Sequence, residues 1–168
     1  SRIVEVEAWG GGGASPTPTP APTPSASNAP VDFDGDGETD YVVARVTGGA
    51  NPNQVTWFTK LNGTNTVVET PFGLATDSTV SGDFDGDSID DIVVYRGSEG
   101  TPVPSFLVID SSTSTFREVP FGQVGDNPVI VGDYDGDGVD DFAVHRTGAE
   151  NHYFYQSGAN VLSVAWGA

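Results

Sequence analysis

Short runs of β-branched and aromatic residues recur along the chain, and glycine, asparagine or serine turns separate them. Runs of this kind are typical of antiparallel β-strands. The clearest ones are 41–44, 92–95 and 142–145, followed by 55–58, 106–109 and 153–155. Third runs end at Phe72-Gly73, Phe121-Gly122 and Trp166-Gly167. No stretch shows a convincing apolar period of 3.6 residues, so the pattern predicts an all-β protein.

An acidic segment of nine residues occurs three times in one register, beginning at Asp32, Asp83 and Asp133. The starts are 51 and 50 residues apart, a period that indicates a repeat architecture. We therefore expect three tandem repeats at about 29–77, 78–126 and 127–168. An arginine follows each start by thirteen residues, at Arg45, Arg96 and Arg146. We expect these arginines to bind loop carboxylates or backbone carbonyls.

Each acidic segment places aspartates at relative positions 1, 3, 5 and 9, with glycine or serine at position 6. Such closely spaced carboxylates repel one another unless a cation lies among them, and the small residue permits a tight turn. The backbone carbonyl at position 7 (Glu38, Ile89, Val139) adds an oxygen. Oxygen-only ligation favours Ca²⁺ over transition metals. An EF-hand is excluded because valine stands at position 12 and a strand follows. The alternative is an Asp-rich turn without metal.

These loops, with the Phe-Gly and Trp-Gly pairs, resemble FG-GAP (VCBS) repeats, the blades of integrin α-subunit propellers and of many bacterial surface proteins. The resemblance covers roughly residues 29–168. It implies four-stranded, propeller-blade-like repeats that hold about three calcium ions, one in a hairpin loop of each repeat. The implied side-chain ligands are Asp32, Asp34, Asp36 and Asp40; Asp83, Asp85, Asp87 and Asp91; and Asp133, Asp135, Asp137 and Asp141. Ser88 replaces the usual glycine, which is tolerated if its φ is not positive.

Closed propellers usually have four to eight blades, whereas this chain has three repeats. Three repeats close alone, belong to a larger ring, or take strands from another molecule. The sequence leaves these alternatives open.

The net charge of −18 disfavours nucleic acid and anionic membrane surfaces as partners. The chain has no cysteine, and no apolar run is long enough for membrane insertion. It also lacks methionine at position 1, so we expect a processed product whose targeting segment has been removed. We expect no enzyme, because no Ser/His/Asp arrangement and no phosphate-binding glycine loop is present. Calcium sites of millimolar affinity suit an extracellular protein, secreted or at the cell surface.

Residues 1–10 alternate apolar and charged side chains, as in a half-buried strand. Their end resembles residues 161–167, so one closing strand is surplus, while the segment before the first loop shrinks to 29–31. Residues 11–28 form a glycine hinge and then a Pro/Thr/Ser-rich linker, predicted to be extended polyproline II. Thr17, Thr19 and Thr23 in this linker are candidate acceptors of covalent O-glycans.

The surplus strand suggests an extracellular structural subunit that self-assembles into a head-to-tail filament, with copies of itself as partners. Its N-terminal strand would add to a sheet edge of the next copy through Ile3, Val4, Val6 and Trp9. Alternatively, residues 1–10 fold back on their own domain, are disordered, or belong to a larger protein. The rival function is a monomeric calcium-binding adhesion or ligand-binding module. Trp57, Tyr153 and Tyr155 offer an aromatic surface for it, although their strand positions favour core packing.

Overall fold

The structure, a computed structural model, describes residues 29–49 and 51–167. This part of the chain forms ten β-strands and no helix, which confirms the all-β prediction. The strands are β1 (Tyr41–Val46), β2 (Gln54–Lys60), β3 (Val67–Leu74), β4 (Ser78–Gly82), β5 (Asp91–Arg96), β6 (Ser105–Ile109), β7 (Phe116–Pro120), β8 (Phe142–Arg146), β9 (His152–Ser157) and β10 (Asn160–Ala165).

The strands form three antiparallel sheets, one after another along the chain. Sheet A has the order β1-β2-β3, sheet B has β4-β5-β6-β7, and sheet C has β8-β9-β10. Every pair joins strands that are consecutive in sequence, because short turns connect them. The three blade-like sheets that the repeats predict are therefore present.

Sheet B lies between the other two sheets and is buried on both faces. Val93 and Tyr95 on one face pack in a cluster with Phe142 and Val144 of sheet C. Val94 on the opposite face packs in a second cluster with Trp57 of sheet A. Successive residues of a strand point to opposite faces, so β5 contributes side chains to both cores.

The three sheets differ at their inner edge, next to the strand that follows each acidic loop. In sheet B this edge is covered by β4, which pairs with β5 along its whole length. In sheet C only two isolated bridges form, from Asn127 and from Gly132. The segment 128–132, which is the counterpart of β4, therefore forms no strand: Pro128 has no N–H to donate, and the backbone turns at 129–130.

Sheet A has even less at this edge. The Val31 carbonyl accepts the Asp40 N–H at 2.7 Å, and no strand precedes β1 in the described residues. The resemblance implies four strands in every blade, but in the described part of the chain only sheet B has them. The short segment 29–31 explains the difference in sheet A.

Candidate metal-binding loops

The three acidic loops fold alike, because the first aspartate of each caps the turn that follows it. In the first loop Asp32 accepts the N–H groups of Gly35 at 2.7 Å and Gly37 at 2.8 Å through its two oxygens. Asp83 binds the corresponding groups of its loop at 2.6 and 2.7 Å, and Asp133 does so at 2.6 and 3.0 Å. The nine-residue spacing therefore encodes a fixed turn.

The last aspartate of each loop closes the turn from its other end. Asp40 accepts the Phe33 N–H at 2.8 Å, and the equivalent bonds of Asp91 and Asp141 are 3.1 and 2.9 Å. Asp40 also accepts the Asn62 N–H at 2.8 Å, and Asp91 accepts the Ser111 N–H at 2.7 Å. In the first two repeats this residue therefore ties the loop to a hairpin turn, between β2 and β3 in sheet A and between β6 and β7 in sheet B.

Each loop gathers three carboxylates whose ligand oxygens lie within 4.8 Å of one another and could hold a metal ion. The groups are Asp32, Asp34 and Asp36; Asp83, Asp85 and Asp87; and Asp133, Asp135 and Asp141. A fourth group joins Asp85 and Asp91 to Asp110, which sequence reasoning missed. Two predicted ligands, Asp40 and Asp137, lie in their loops but in none of these groups. The donor set is oxygen only, as calcium requires.

The remaining predicted ligands are the position-7 carbonyls of Glu38, Ile89 and Val139. The Ile89 carbonyl accepts the Ser111 hydroxyl at 3.3 Å. The Glu38 carboxylate, by contrast, accepts the Asn62 side-chain amide at 3.1 Å. The carboxylate groups thus supply the core of the candidate site in each loop, and these carbonyls stay predicted ligands.

The electrostatics of the loops favour a cation. Burial, and then the charge of Asp85, raise the pKa of Asp91 to about 6 against the hydrogen bond from Ser111. Burial also raises the pKa of Asp141, and the neighbouring Asp135 and Asp137 carboxylates add to the effect. A divalent ion among these groups would relieve the repulsion and stabilise their ionised forms. The residues present therefore fit Ca²⁺.

Position 8 of the second and third loops carries an aspartate, Asp90 and Asp140, that the sequence reasoning missed. Burial and the charge of Asp140 raise the pKa of Asp90 to about 7. The Asp90 N–H donates to the Asp32 carbonyl at 2.7 Å, and the Asp140 N–H donates to the Asp83 carbonyl at 2.8 Å. Successive loops are therefore bonded to each other through the backbone.

The repeated arginines bind aspartates outside the loops, so the expected bonds to loop carboxylates are wrong. Arg96 forms two hydrogen bonds with Asp77, at 2.7 and 2.9 Å. Arg146 binds Asp126 in the same way, at 2.7 and 2.8 Å. Both aspartates follow a Phe-Gly pair by four residues, in the segments between sheets, and this spacing could have revealed them. Arg45 instead stacks over a ring.

Backbone conformation and steric crowding explain why glycine stands in the Phe-Gly pairs. Gly73 and Gly122 both have φ of +88°, where L side chains are strained. A Cβ on Gly73 would lie 2.7 Å from Val94, and one on Gly122 would meet the Tyr95 hydroxyl. The glycine of each Phe-Gly pair therefore lets the backbone, at the end of a sheet, pass close to a side chain of β5.

Two expectations from the sequence need correction. Ser88 has φ of +69°, so the condition for tolerating it in place of glycine is not met. Trp57 is buried as expected, but Tyr153 and Tyr155 are only half-buried. The predicted assembly and glycosylation residues lie outside the described residues: Ile3, Val4, Val6, Trp9, Thr17, Thr19 and Thr23.

Comparisons with known proteins identify the repeat. A search of curated proteins and a search of solved structures each found no match. No helix within 29–49 and 51–167 is long and apolar enough to span a membrane. FG-GAP repeats are typical of extracellular adhesion and ligand-binding modules, and the family is typically non-enzymatic. The family model of the FG-GAP-like repeat matches residues 32–94, a part of the chain that includes the first two acidic loops, and this part is therefore similar to FG-GAP-like repeats, as the resemblance predicted.

Proposed function

We propose that the chain is an extracellular structural subunit that self-assembles head to tail, with calcium stabilising each repeat. Its N-terminal strand inserts at a sheet edge of a neighbouring copy. The observation that carries the proposal is the inner edge of sheet A, which has no strand beside it in the described residues.

This edge has the features of a strand acceptor. Strand β1 pairs with β2 on one side only, whereas its counterpart β5 pairs with both β4 and β6. Tyr41 and Val43 in β1 are 63% and 58% exposed. An unpaired edge with exposed apolar side chains is a template for an added strand. Main-chain hydrogen bonds would supply affinity, and the apolar side chains would set the register.

The donor is the segment 1–10. Its alternating pattern supplies Ile3, Val4, Val6 and Trp9 as side chains for the acceptor. The linker that follows is rich in proline and, as polyproline II at about 3.1 Å per residue, residues 15–30 reach roughly 45 Å. A domain of this size is roughly 35–40 Å across by the compactness scaling. The linker is therefore long enough to carry the strand past its own domain.

The contact joins two different surfaces and is heterologous, so it generates a filament unless the rotation closes a ring. Calcium supports the same assembly by lowering charge repulsion. Three divalent ions, one per repeat, would reduce the net charge from −18 to about −12. Sites of millimolar affinity would be filled outside cells.

The test is negative-stain microscopy with light scattering in millimolar calcium. We expect filaments or large oligomers from the full chain and their loss from a variant that lacks residues 1–13. A control that replaces Thr17, Thr19 and Thr23 with alanine changes the linker but keeps the strand, and we expect it to assemble. Equal melting temperatures at low concentration would show that the shortened variant still folds.

Monomeric samples of both the full chain and the shortened variant would contradict the assembly. The family match would then favour the second candidate, a monomeric calcium-binding adhesion or ligand-binding module. Excess EGTA provides a separate test of the calcium sites. Because metal that binds the native state stabilises it by mass action, we expect chelation to lower the melting temperature. An unchanged melting curve would rule out calcium.

A further inference from the structure

We propose a second contact between copies of this chain, which goes beyond the strand insertion. The outer face of sheet C in one copy, which points away from sheet B, packs on the outer face of sheet A in the next copy. The contact continues, from molecule to molecule, the packing that joins the three sheets within one chain.

The packing within the chain follows one rule. We call the leading face of a sheet the one that carries Ile92 and Val94 in sheet B, and the trailing face the one that carries Val93 and Tyr95. By the repeat spacing, Ala44 corresponds to Tyr95 and Val144 to Val94. Ala44 and Val94 share one core, and Tyr95 and Val144 share the other. In both interfaces the trailing face of one sheet therefore packs on the leading face of the next.

Two faces are left over by this rule. The leading face of sheet A carries Tyr41 and Val43, which are largely exposed. The trailing face of sheet C carries His145 of β8, with Tyr153 opposite it in register. Tyr155 lies on the same face, opposite the buried Ala143, and His145 and both tyrosines are half-buried. Tyr134 stacks on Tyr155 with ring centroids 4.8 Å apart, and His145 packs on Tyr153 at the same distance. Inside the chain, a trailing face packs on a leading face in both interfaces. The leading face of sheet A and the trailing face of sheet C are therefore a pair of the kind that packs together.

Charge supports a second copy as the occupant. Arg96, Arg117 and Arg146 each form an ion pair with an aspartate. The other two cations of the described residues, Arg45 and Lys60, form no ion pair there. They lie 4.3 Å above the Phe58 ring and 5.8 Å above the Tyr41 ring.

Both of these cations belong to the leading face of sheet A, because Tyr41 lies opposite Lys60 and Arg45 lies opposite Thr56 in register. Glu69 of β3 lies opposite Phe58 on the same face, so the charged side chains of its strands (Arg45, Lys60 and Glu69) sum to +1 in a chain of net charge −18. The trailing face of sheet C offers tyrosine rings, which attract cations, and it belongs to an acidic molecule. Another copy of this chain therefore supplies the trailing face that the packing rule requires and aromatic rings for the two cations.

The test is disulfide cross-linking, which is clean here because the chain has no cysteine. Val43→Cys and His145→Cys are made in separate full-length chains and mixed under mild oxidation. Their counterparts within the chain share a core, so we expect a disulfide-linked dimer on a non-reducing gel. The control pairs Val43→Cys with Val103→Cys, since Val103 is 57% exposed and lies in the loop between β5 and β6 of sheet B. We expect at least several-fold less dimer from the control.

A dimer band no stronger than the control would overturn the proposal. Adding Trp9→Asp to both chains separates this contact from the strand insertion. We expect filaments to be lost while the cross-link persists, because the two faces lie outside the donor strand. Loss of the cross-link in the Trp9→Asp chains would also overturn the proposal. A chain that carries both Val43→Cys and Val4→Cys gives a further test. An intramolecular disulfide in this chain, formed in place of the disulfide between chains, would also overturn the proposal, because residues 1–10 of the same chain would then cover the leading face of sheet A.

Discussion

Sheets A and B are built from equivalent residues, but in the described part of the chain only sheet B has all four strands. Sheet B has four strands and buries Val93 and Val94 on opposite faces of β5. In sheet A their counterparts diverge: Val42 packs in the core, while Val43 is 58% exposed. The same local pattern therefore gives a sheet that is buried on both faces in the middle of the array and a sheet with one exposed face at its end. Position in the array, more than sequence, decides which side chains are buried.

The largest effect should come from the aromatic core of sheet B. Phe106 is fully buried, with ring centroids 4.8 Å from Tyr95 and 5.0 Å from Phe142. We expect Phe106→Ala to lower the free energy of unfolding by about 3–5 kcal/mol. Phe58 lies half-buried on the leading face of sheet A, and Phe58→Ala should lower the free energy of unfolding by about 1 kcal/mol or less. Urea unfolding at low protein concentration measures both variants.

Comparable losses from the two variants would contradict the difference between the sheets. They would mean that the leading face of sheet A is covered within a single chain. Repeating the Phe58→Ala measurement at high protein concentration sharpens the comparison, because a contact between copies would enlarge the effect of this substitution and leave that of Phe106→Ala unchanged.

The enclosure of sheet B also buries an acid that sheet A lacks. The pKa of Asp90 is raised from 3.8 to about 7 by burial and by Asp140, whereas the equivalent residue of the first loop is the exposed Thr39. Below pH 4 Asp90 is protonated in both the folded and the unfolded chain. Between pH 4 and about 7 only the unfolded chain ionises it, so folding loses stability as pH rises.

We therefore expect Asp90→Thr to raise the melting temperature by a few degrees at pH 8. This gain should shrink as pH falls through about 7 and disappear below pH 4. Thermal melts in EGTA measure it without a contribution from calcium binding. The matched control is Thr39→Asp, which places the acid at the exposed position and should add little pH dependence. A gain from Asp90→Thr that is equal at pH 3.5 and pH 8 would show a packing effect in place of titration.

Sequence predicted what local spacing encodes and missed what packing decides. The strands and the three acidic loops follow from alternation and from a period of about 50 residues. The ion pairs of Asp77 and Asp126 were missed because their arginine partners lie 19 and 20 residues away. Tyr153 is only half-buried because no further sheet of the described residues packs beside sheet C, and no local pattern predicts this. The repeat period can be predicted from the sequence, whereas the burial of side chains in the first and last sheets cannot.

The smallest effect concerns position 6 of the acidic loops, where sheet B has serine and the other two loops have glycine. Ser88 has φ of +69°, and glycine stands at the same position in the other loops, with φ of +83° and +90°. Left-handed backbone costs a non-glycine residue about 1–2 kcal/mol, and the added freedom of unfolded glycine offsets roughly 0.5–1 kcal/mol of any gain. We expect Ser88→Gly to stabilise the protein by about 0.5 kcal/mol in urea unfolding. The reverse change, Gly138→Ser, isolates the backbone effect because no atom lies within 4 Å of the added Cβ. It should destabilise the protein by a similar amount. Destabilisation by Ser88→Gly, with Gly138→Ser still destabilising, would contradict the prediction and show that the loop of sheet B holds Ser88 through its hydroxyl, against the conformational preference of its backbone.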